Sequence, residues 1–415
     1  MKRLFLTLAV LALVEMASAV DLPEHRGELI FPLRADANHA PAIVECPNGD
    51  LIASWYRRRS AEDVAVYGAR KRAGESVWSD EFLMVETLGI QGGNTCMMID
   101  PESRLWLFWP VFIANTSASA LPNYRFSRDY TGDGPPKWAW QGAIYLKPAG
   151  FSAEFKKVSR EWRQAREELI QNLSPTERDQ LREREQRSRV PSPEQIAARI
   201  DDKIFQRLGW SVRCKPTLMP PSSKHPYGRI LLPLYSDTLS VGMMAISDDK
   251  GSNWLASKPI IGEGAIQPTV LVRNDGTLVA YMRDNGGSGH IKVSESKDDG
   301  QTWGTVTLSE LANPGAGIDG VRLTNGHFCL VYNDTERGRQ SLAVSISEDE
   351  GRTWKYTRHL EHRLNGTYQY PCLIQGRESN LHVIYSYFAP STATTEASSI
   401  KHVAFNEDWV KQGDQ

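Results

Sequence analysis

The chain has 415 residues, 40% hydrophobic and 24% charged, with 48 basic against 50 acidic side chains. A formal net charge of −2 supplies no field to collect phosphate backbones, which excludes general nucleic-acid binding. The apolar content excludes intrinsic disorder, and the length points either to two or three domains or to one large repeat fold.

In chain order, Lys2 and Arg3 precede an apolar run, Leu4 to Val14, and the small-x-small triplet Ala17-Ser18-Ala19. This pattern predicts a signal peptide over residues 1–19, and hence a secreted or periplasmic protein. No later stretch has the length of an uncharged spanning helix, so no membrane span is expected after cleavage.

Six units of apolar strand, turn-forming break and second apolar strand follow. They open at His39-Ala40-Pro41, Asn94-Thr95-Cys96, Lys215-Pro216-Thr217, Gln267-Pro268-Thr269, Asp319-Gly320-Val321 and Tyr370-Pro371-Cys372. The last four are 51 to 52 residues apart, the length of a four-stranded blade. Out of phase with them run Ser247-Asp248-Asp249-Lys250-Gly251-Ser252-Asn253-Trp254, Ser296 to Trp303 and Ser347 to Trp354, all of the form Ser-x-Asp-x-Gly-x-x-Trp. In such a turn the carboxylate accepts backbone N–H groups, the glycine takes positive φ and the tryptophan packs between strands, so Asp249, Asp298 and Asp349 are structural. The chain is therefore expected to be all-β, a six-bladed β-propeller over residues 20–410.

The spacing breaks once. Residues 151–208 hold no glycine, carry 13 basic and 11 acidic side chains, and contain two capping boxes, Ser174-Pro175-Thr176-Glu177 and Ser192-Pro193-Glu194-Gln195. They predict a solvated helical insertion between blades 2 and 3, with helices near 152–172, 175–188 and 193–207. Five cysteines scattered among apolar stretches read as buried free thiols, and nine dispersed histidines give no metal-ligand spacing, so no cofactor or metal is expected.

In a propeller the inner strands line the axis and ligands sit over one end of it. The residues opening the six inner strands, His39, Asn94, Lys215, Gln267, Asp319 and Tyr370, are all polar and are expected to form a binding rim.

The Asp-boxes, the six-blade period and the stretches Ala265-Ile266-Gln267-Pro268-Thr269, Gly317-Ile318-Asp319-Gly320-Val321, Tyr368-Gln369-Tyr370-Pro371 and Ile400-Lys401-His402-Val403 resemble the BNR-repeat, sialidase-like branch of the sialidase superfamily. The resemblance runs over about residues 35–408, apart from the insertion. It implies Tyr370 as nucleophile, Asp63 as acid/base, Arg283 and Arg339 on a sugar carboxylate, and Tyr368 beside them. Two positions depart from the family pattern: His39 replaces the first-blade arginine, and Gln267 replaces the glutamate that assists the tyrosine. An imidazole does not reproduce a bidentate guanidinium. The expectation is a glycosidase, a monomer, acting on an acidic oligosaccharide or polysaccharide: a sialic acid, a uronate or a sulfated sugar. The competing readings are a polysaccharide lyase using Tyr370 or His39 as base and a non-catalytic glycan-binding propeller.

Overall fold

The computed structural model describes residues 23–414 apart from 61, 149, 187 and 390–396, so the predicted signal peptide lies outside the described residues. Six antiparallel sheets are arranged as the blades of a β-propeller. Blade 1 is formed by Ala37–Glu45, Leu51–Ser60, Asp63–Lys71 and Phe82–Val85; blades 4 and 5 repeat this meander over Ala265–Ala312 and Asp319–His362. In blades 2 and 3 the inner strand is split, into Gln91–Gly92 and Cys96–Ile99, and into Ser211–Val212 and Thr217–Met219. Blade 6 uses Thr367–Gln375, Leu381–Phe388 and Ser398–Phe405 and takes its outer strand, His25–Leu29, from the other end of the sequence.

The blades pack through apolar clusters shared by neighbours. Ile43, Ile52 and Trp55 of blade 1 meet Leu105 and Leu107 of blade 2, and Leu231 and Met244 of blade 3 meet Val270 and Leu278 of blade 4. All five cysteines are free and buried, as the sequence predicts.

The three Asp-boxes form one turn in triplicate. Ser247, Ser296 and Ser347 each donate a hydroxyl to the following Asp Oδ1 at 2.8 Å. The same oxygen accepts the backbone N–H of Asn253, Thr302 or Thr353 at 2.8–2.9 Å. Each turn needs two left-handed residues, for instance Lys250 (φ 61°) and Gly251 (φ 85°). The glycine is also required by packing, because a Cβ on Gly251 would come within 2.5 Å of the Trp106 ring in the preceding blade. These turns follow the third strand of each blade, at the end of the propeller opposite the openings of the inner strands.

The insertion folds as α1 (Phe151–Asn172), α2 (Pro175–Glu185), α3 (Pro193–Ile200) and α4 (Lys203–Arg207). Both predicted capping boxes form, with Ser174 N–H donating to Glu177 Oε2 at 2.8 Å and Gln195 N–H donating to Ser192 Oγ at 3.3 Å. The single helix expected over 193–207 is instead two, because Asp202 caps a new start by accepting from Ile204 N–H at 2.7 Å. The expectation of a purely solvated excursion also needs correction. Phe151, Phe155 and Ile200 are buried in one cluster with Trp210, Leu239 and Val241 of blade 3, so the ends of α1 and α3 belong to the core.

Candidate active site at the propeller mouth

Three inner strands enter the mouth with the same irregularity. The ladder slips between His39 and Ala42 in blade 1, between Ile266 and Thr269 in blade 4 and between Gln369 and Cys372 in blade 6. At each slip the residue before a proline is left-handed: Ala40 (φ 49°), Gln267 (φ 55°) and Tyr370 (φ 54°). Proline removes a ladder donor and bars its predecessor from the α region, and a bulge absorbs the extra residue. A left-handed tyrosine costs about 1–3 kcal/mol, so the surrounding fold must hold it in place.

What surrounds Tyr370 is a set of cations. The guanidinium carbons of Arg213, Arg339 and Arg283 lie 5.2, 5.9 and 6.0 Å from its ring centroid. Arg283 donates to the Tyr370 hydroxyl oxygen at 3.0 Å and more weakly, at 3.5 Å, to Gln267 Oε1. Arg213 is fixed by donating to Pro371 O at 2.5 Å, and Arg339 by Gly315 O at 2.9 Å and by Gln369. Burial alone would push the Tyr370 phenol up, but Arg283, then Arg339, Gln267 and Arg213 outweigh it and hold it below its ordinary value. Arg339 is itself lowered to about 10, by burial and then by Arg283, and still carries its charge at neutral pH.

His39 packs edge-on against Tyr370, with centroids 4.5 Å apart, and also contacts Tyr56 and Phe388. Burial first, and then Arg339, Arg213, Arg283 and Arg58, push its pKa down to about 3. It is therefore a neutral ring at physiological pH, and its Nδ1 has no hydrogen-bond partner among the described residues.

The structure thus brings together His39, Gln267, Arg283, Arg339 and Tyr370. Asn94 joins them by donating to the Tyr235 hydroxyl at 2.9 Å, and Gln267 in turn contacts the phenols of Tyr235 and Tyr370. Three other expectations, for Lys215, Asp319 and Tyr368, come out differently. Lys215 and Asp319 do not present themselves to the mouth. The fully buried Asp319 carboxylate accepts from Lys215 Nζ at 2.8 Å, Thr269 Oγ1 at 2.9 Å and Leu373 N–H at 2.8 Å, and so ties blades 3 to 6 together around the axis. Tyr368 is fully buried in the core between blades 5 and 6, against Tyr385 and Tyr387. The bulge after Gln369 turns Tyr370 towards the mouth while Tyr368 remains inside, although simple alternation puts both on one face. Asp63 stands half-buried on the hairpin that ends the second strand of blade 1, with its carboxylate engaged by Arg59 at 2.9 Å.

Sequence reasoning missed four residues. Arg213 and Tyr235 sit at the upper ends of blade 3 strands. Asp237 lies in the turn after Tyr235. Arg189 comes from the insertion, whose backbone N–H is anchored on Asn285 O at 2.8 Å and whose charge is felt by Arg339.

At the opposite end, a cleft of about 440 Å³ is lined by amides and carboxylates, among them Asn325, Gln375, Glu378, Asn406 and Glu407. Nearby, His327, Glu348 and Glu407 are close enough together to share an ion, and Lys411 bridges the two carboxylates there at 2.9 and 2.8 Å. That end gathers carboxylates where the mouth gathers guanidiniums.

The model for the BNR repeat-like domain matches residues 193–383. An anhydrosialidase from Macrobdella decora is 25% identical over 181 residues, 39% of this chain and 23% of that protein. A sialidase from Micromonospora viridifaciens is 25% identical over 176 residues, 40% of this chain and 25% of that protein. The fold matches the intramolecular trans-sialidase from Ruminococcus gnavus with a TM-score of 0.61 at 13% identity, covering 90% of this chain and 95% of the other. Over residues 193–383 the chain is similar to BNR repeat-like domains, and in sequence and fold it is similar to sialidases. The sequence matches span only about a quarter of those two relatives. What this sialidase-like propeller shares with them beyond the fold must therefore be argued from its own mouth.

Proposed function

We propose that this protein is an exported sialidase-like glycoside hydrolase that acts on an acidic glycan, whether a sialic acid, a uronate or a sulfated sugar. The observation that carries the reading is the trio Arg213, Arg283 and Arg339, three guanidiniums within about 6 Å of one tyrosine ring. Forked cations suit a carboxylate or sulfate, and the aromatic faces of Tyr370 and Tyr56 suit a pyranose ring. Arg213 also answers the difficulty raised by His39, since a third arginine is supplied from blade 3 instead of blade 1. The neighbour from Ruminococcus gnavus was solved with oseltamivir carboxylate, itself an anion.

In this reading Tyr370 attacks the anomeric carbon. Gln267 cannot take its proton, and the arginines do that work electrostatically by stabilising the phenolate. A carboxyl at the mouth then protonates the leaving oxygen, and Asp63 is the one the sequence points to. The test is to incubate the purified protein with sialylated, uronylated and sulfated glycosides, reading reducing ends and unsaturated-product absorbance together. New reducing ends on an acidic substrate are expected, and unsaturated uronate would make the protein a lyase. Equal turnover of a neutral glycan by wild type and Arg283→Met would overturn the acidic-substrate reading.

A further inference from the structure

The helical insertion meets the propeller where the mouth is built. Its last helix, α4, leads into Trp210, which is fully buried in the cluster with Phe151 and Ile200, and three residues later the chain reaches Arg213. A second grip on blade 3 comes from α3. Arg199 donates to Thr238 O at 2.9 Å, in the turn that follows Tyr235, and Leu239 of that turn lies in the same apolar cluster. Beyond α2 the chain crosses to blade 4, where the Arg189 N–H donates to Asn285 O at 2.8 Å. Asn285 is two residues beyond Arg283 and the first past the ladder pairs Arg283–Ile266 and Asp284–Ala265.

The blade 4 turn passes that contact on as one piece. It closes around the buried Asp284 carboxylate, which accepts Gly286 N–H and Gly289 N–H at 2.8 Å and the Ser288 hydroxyl at 3.0 Å. Asn285 N–H donates to Gly264 O at 2.8 Å, and the two chain segments cross so closely that a Cβ on Gly264 would strike the Gly286 nitrogen. A knot packed this tightly shifts whole or not at all, and a shift carries Arg283 away from Tyr370 Oη and Gln267 Oε1.

We infer that the insertion is a positioning element of the mouth: seated on blade 4 through the Arg189 backbone, it holds Arg283 in place for the anion of the substrate. The inference rests on the acidic-glycan reading. Apolar packing fixes the insertion to blade 3, whereas its hold on the Asn285 turn is a main-chain hydrogen bond, so it is firm at one end and releasable at the other. An anion that binds better while this bond is made must, by linkage, strengthen the bond in return.

The test reads both directions of that linkage. Glucuronate, N-acetylneuraminate and sulfate are titrated calorimetrically into the wild type, Arg189→Ala and Arg189→Pro, and hydrogen exchange at the Arg189 amide is followed with and without each anion. Arg189→Pro, which lacks the N–H, should bind the anion about 5- to 20-fold more weakly. Arg189→Ala keeps the N–H and should bind within about twofold of wild type at high salt. Bound anion should slow exchange of the wild-type Arg189 amide by a factor similar to the proline loss, and this measurement decides the matter if Arg189→Pro does not fold. Unchanged affinity in Arg189→Pro, an equal loss in Arg189→Ala at high salt, or exchange indifferent to bound anion would overturn the positioning role and leave the acidic-glycan reading standing. A wild type that binds none of the three anions would overturn both.

Discussion

The two ends of this propeller use one four-stranded template in opposite ways. At the Asp-box end the serine hydroxyl, the aspartate carboxylate and the glycine N–H that shape each turn are answered within the same eight residues, Ser to Asp, backbone N–H to Asp and Gly N–H to Ser. At the mouth the polar groups answer to other blades. Arg213 from blade 3 holds Pro371 of blade 6, Arg283 from blade 4 reaches Tyr370 of blade 6, and Arg339 from blade 5 reaches Gln369 of blade 6. Self-contained turns give stability that is local and additive. Cross-blade contacts on left-handed hinge residues give placement, at a cost in strain.

The sharpest way to break that contrast is Tyr370→Phe. If the mouth exists for chemistry, removing one oxygen lowers turnover by on the order of 10⁴-fold and leaves the melting temperature unchanged. A stable variant with wild-type turnover would make Tyr370 structural. Next comes Arg283→Met, which keeps length and removes the fork; it should cost about 2–4 kcal/mol of binding or transition-state stabilisation on acidic substrates, read from kcat/KM.

A histidine at the far end sharpens the comparison through pH. His382 in blade 6 is pushed down to about 3 by burial and then by His402 and Lys71. Unfolded, it takes a proton near pH 6.5 that the folded state refuses until about 3, so stability rises with pH across that window and is lost on acidification. Urea midpoints at pH 7 and pH 5 should show wild type losing about 2 kcal/mol more than His382→Gln over that step. Parallel losses would mean that His382 does not set the slope.

Asp298→Ala should then cost about 1–2 kcal/mol of stability with kcat unchanged in the folded fraction, as measured by denaturation beside active-site titration. The smallest effect belongs to Arg189, which is exposed and reaches the mouth only from the insertion. Arg189→Ala should raise KM for an anionic substrate a few-fold at low salt and not at all at high salt. A salt-independent effect would place Arg189 in direct contact with the sugar.

The same contrast explains what the sequence could disclose. The Asp-boxes repeat within eight residues and the inner strands carry a near-constant period, so blade number and the position of the insertion were legible. The mouth was legible only where a motif pinned it, at Gln267-Pro268 and Tyr370-Pro371. Lys215-Pro216-Thr217 reads like Gln267-Pro268-Thr269, and that likeness nominated Lys215. The split inner strand of blade 3 instead begins at Ser211, which raises Arg213 to the mouth and leaves Lys215 below it, paired with Asp319. Tyr368 failed for a related reason, since a bulge reverses facing within two residues and leaves no compositional mark. Asp237 and Arg189 are single polar residues in loops, where the pattern that locates strands carries no information.

The outer strand of blade 6 imposes an order on folding. His25–Leu29 pairs with Lys401–Phe405, His25 stacks on Trp409 at 4.5 Å, and these partners are more than 370 residues apart in the chain. A ribosome must therefore release almost the whole polypeptide before the circle can be sealed, whatever the middle blades have already achieved. Until then two unpaired sheet edges stay exposed, and the closing step bears the entropy of the longest loop in the molecule. Synthesis is vectorial here, but completion is simultaneous for the first-made and last-made strands.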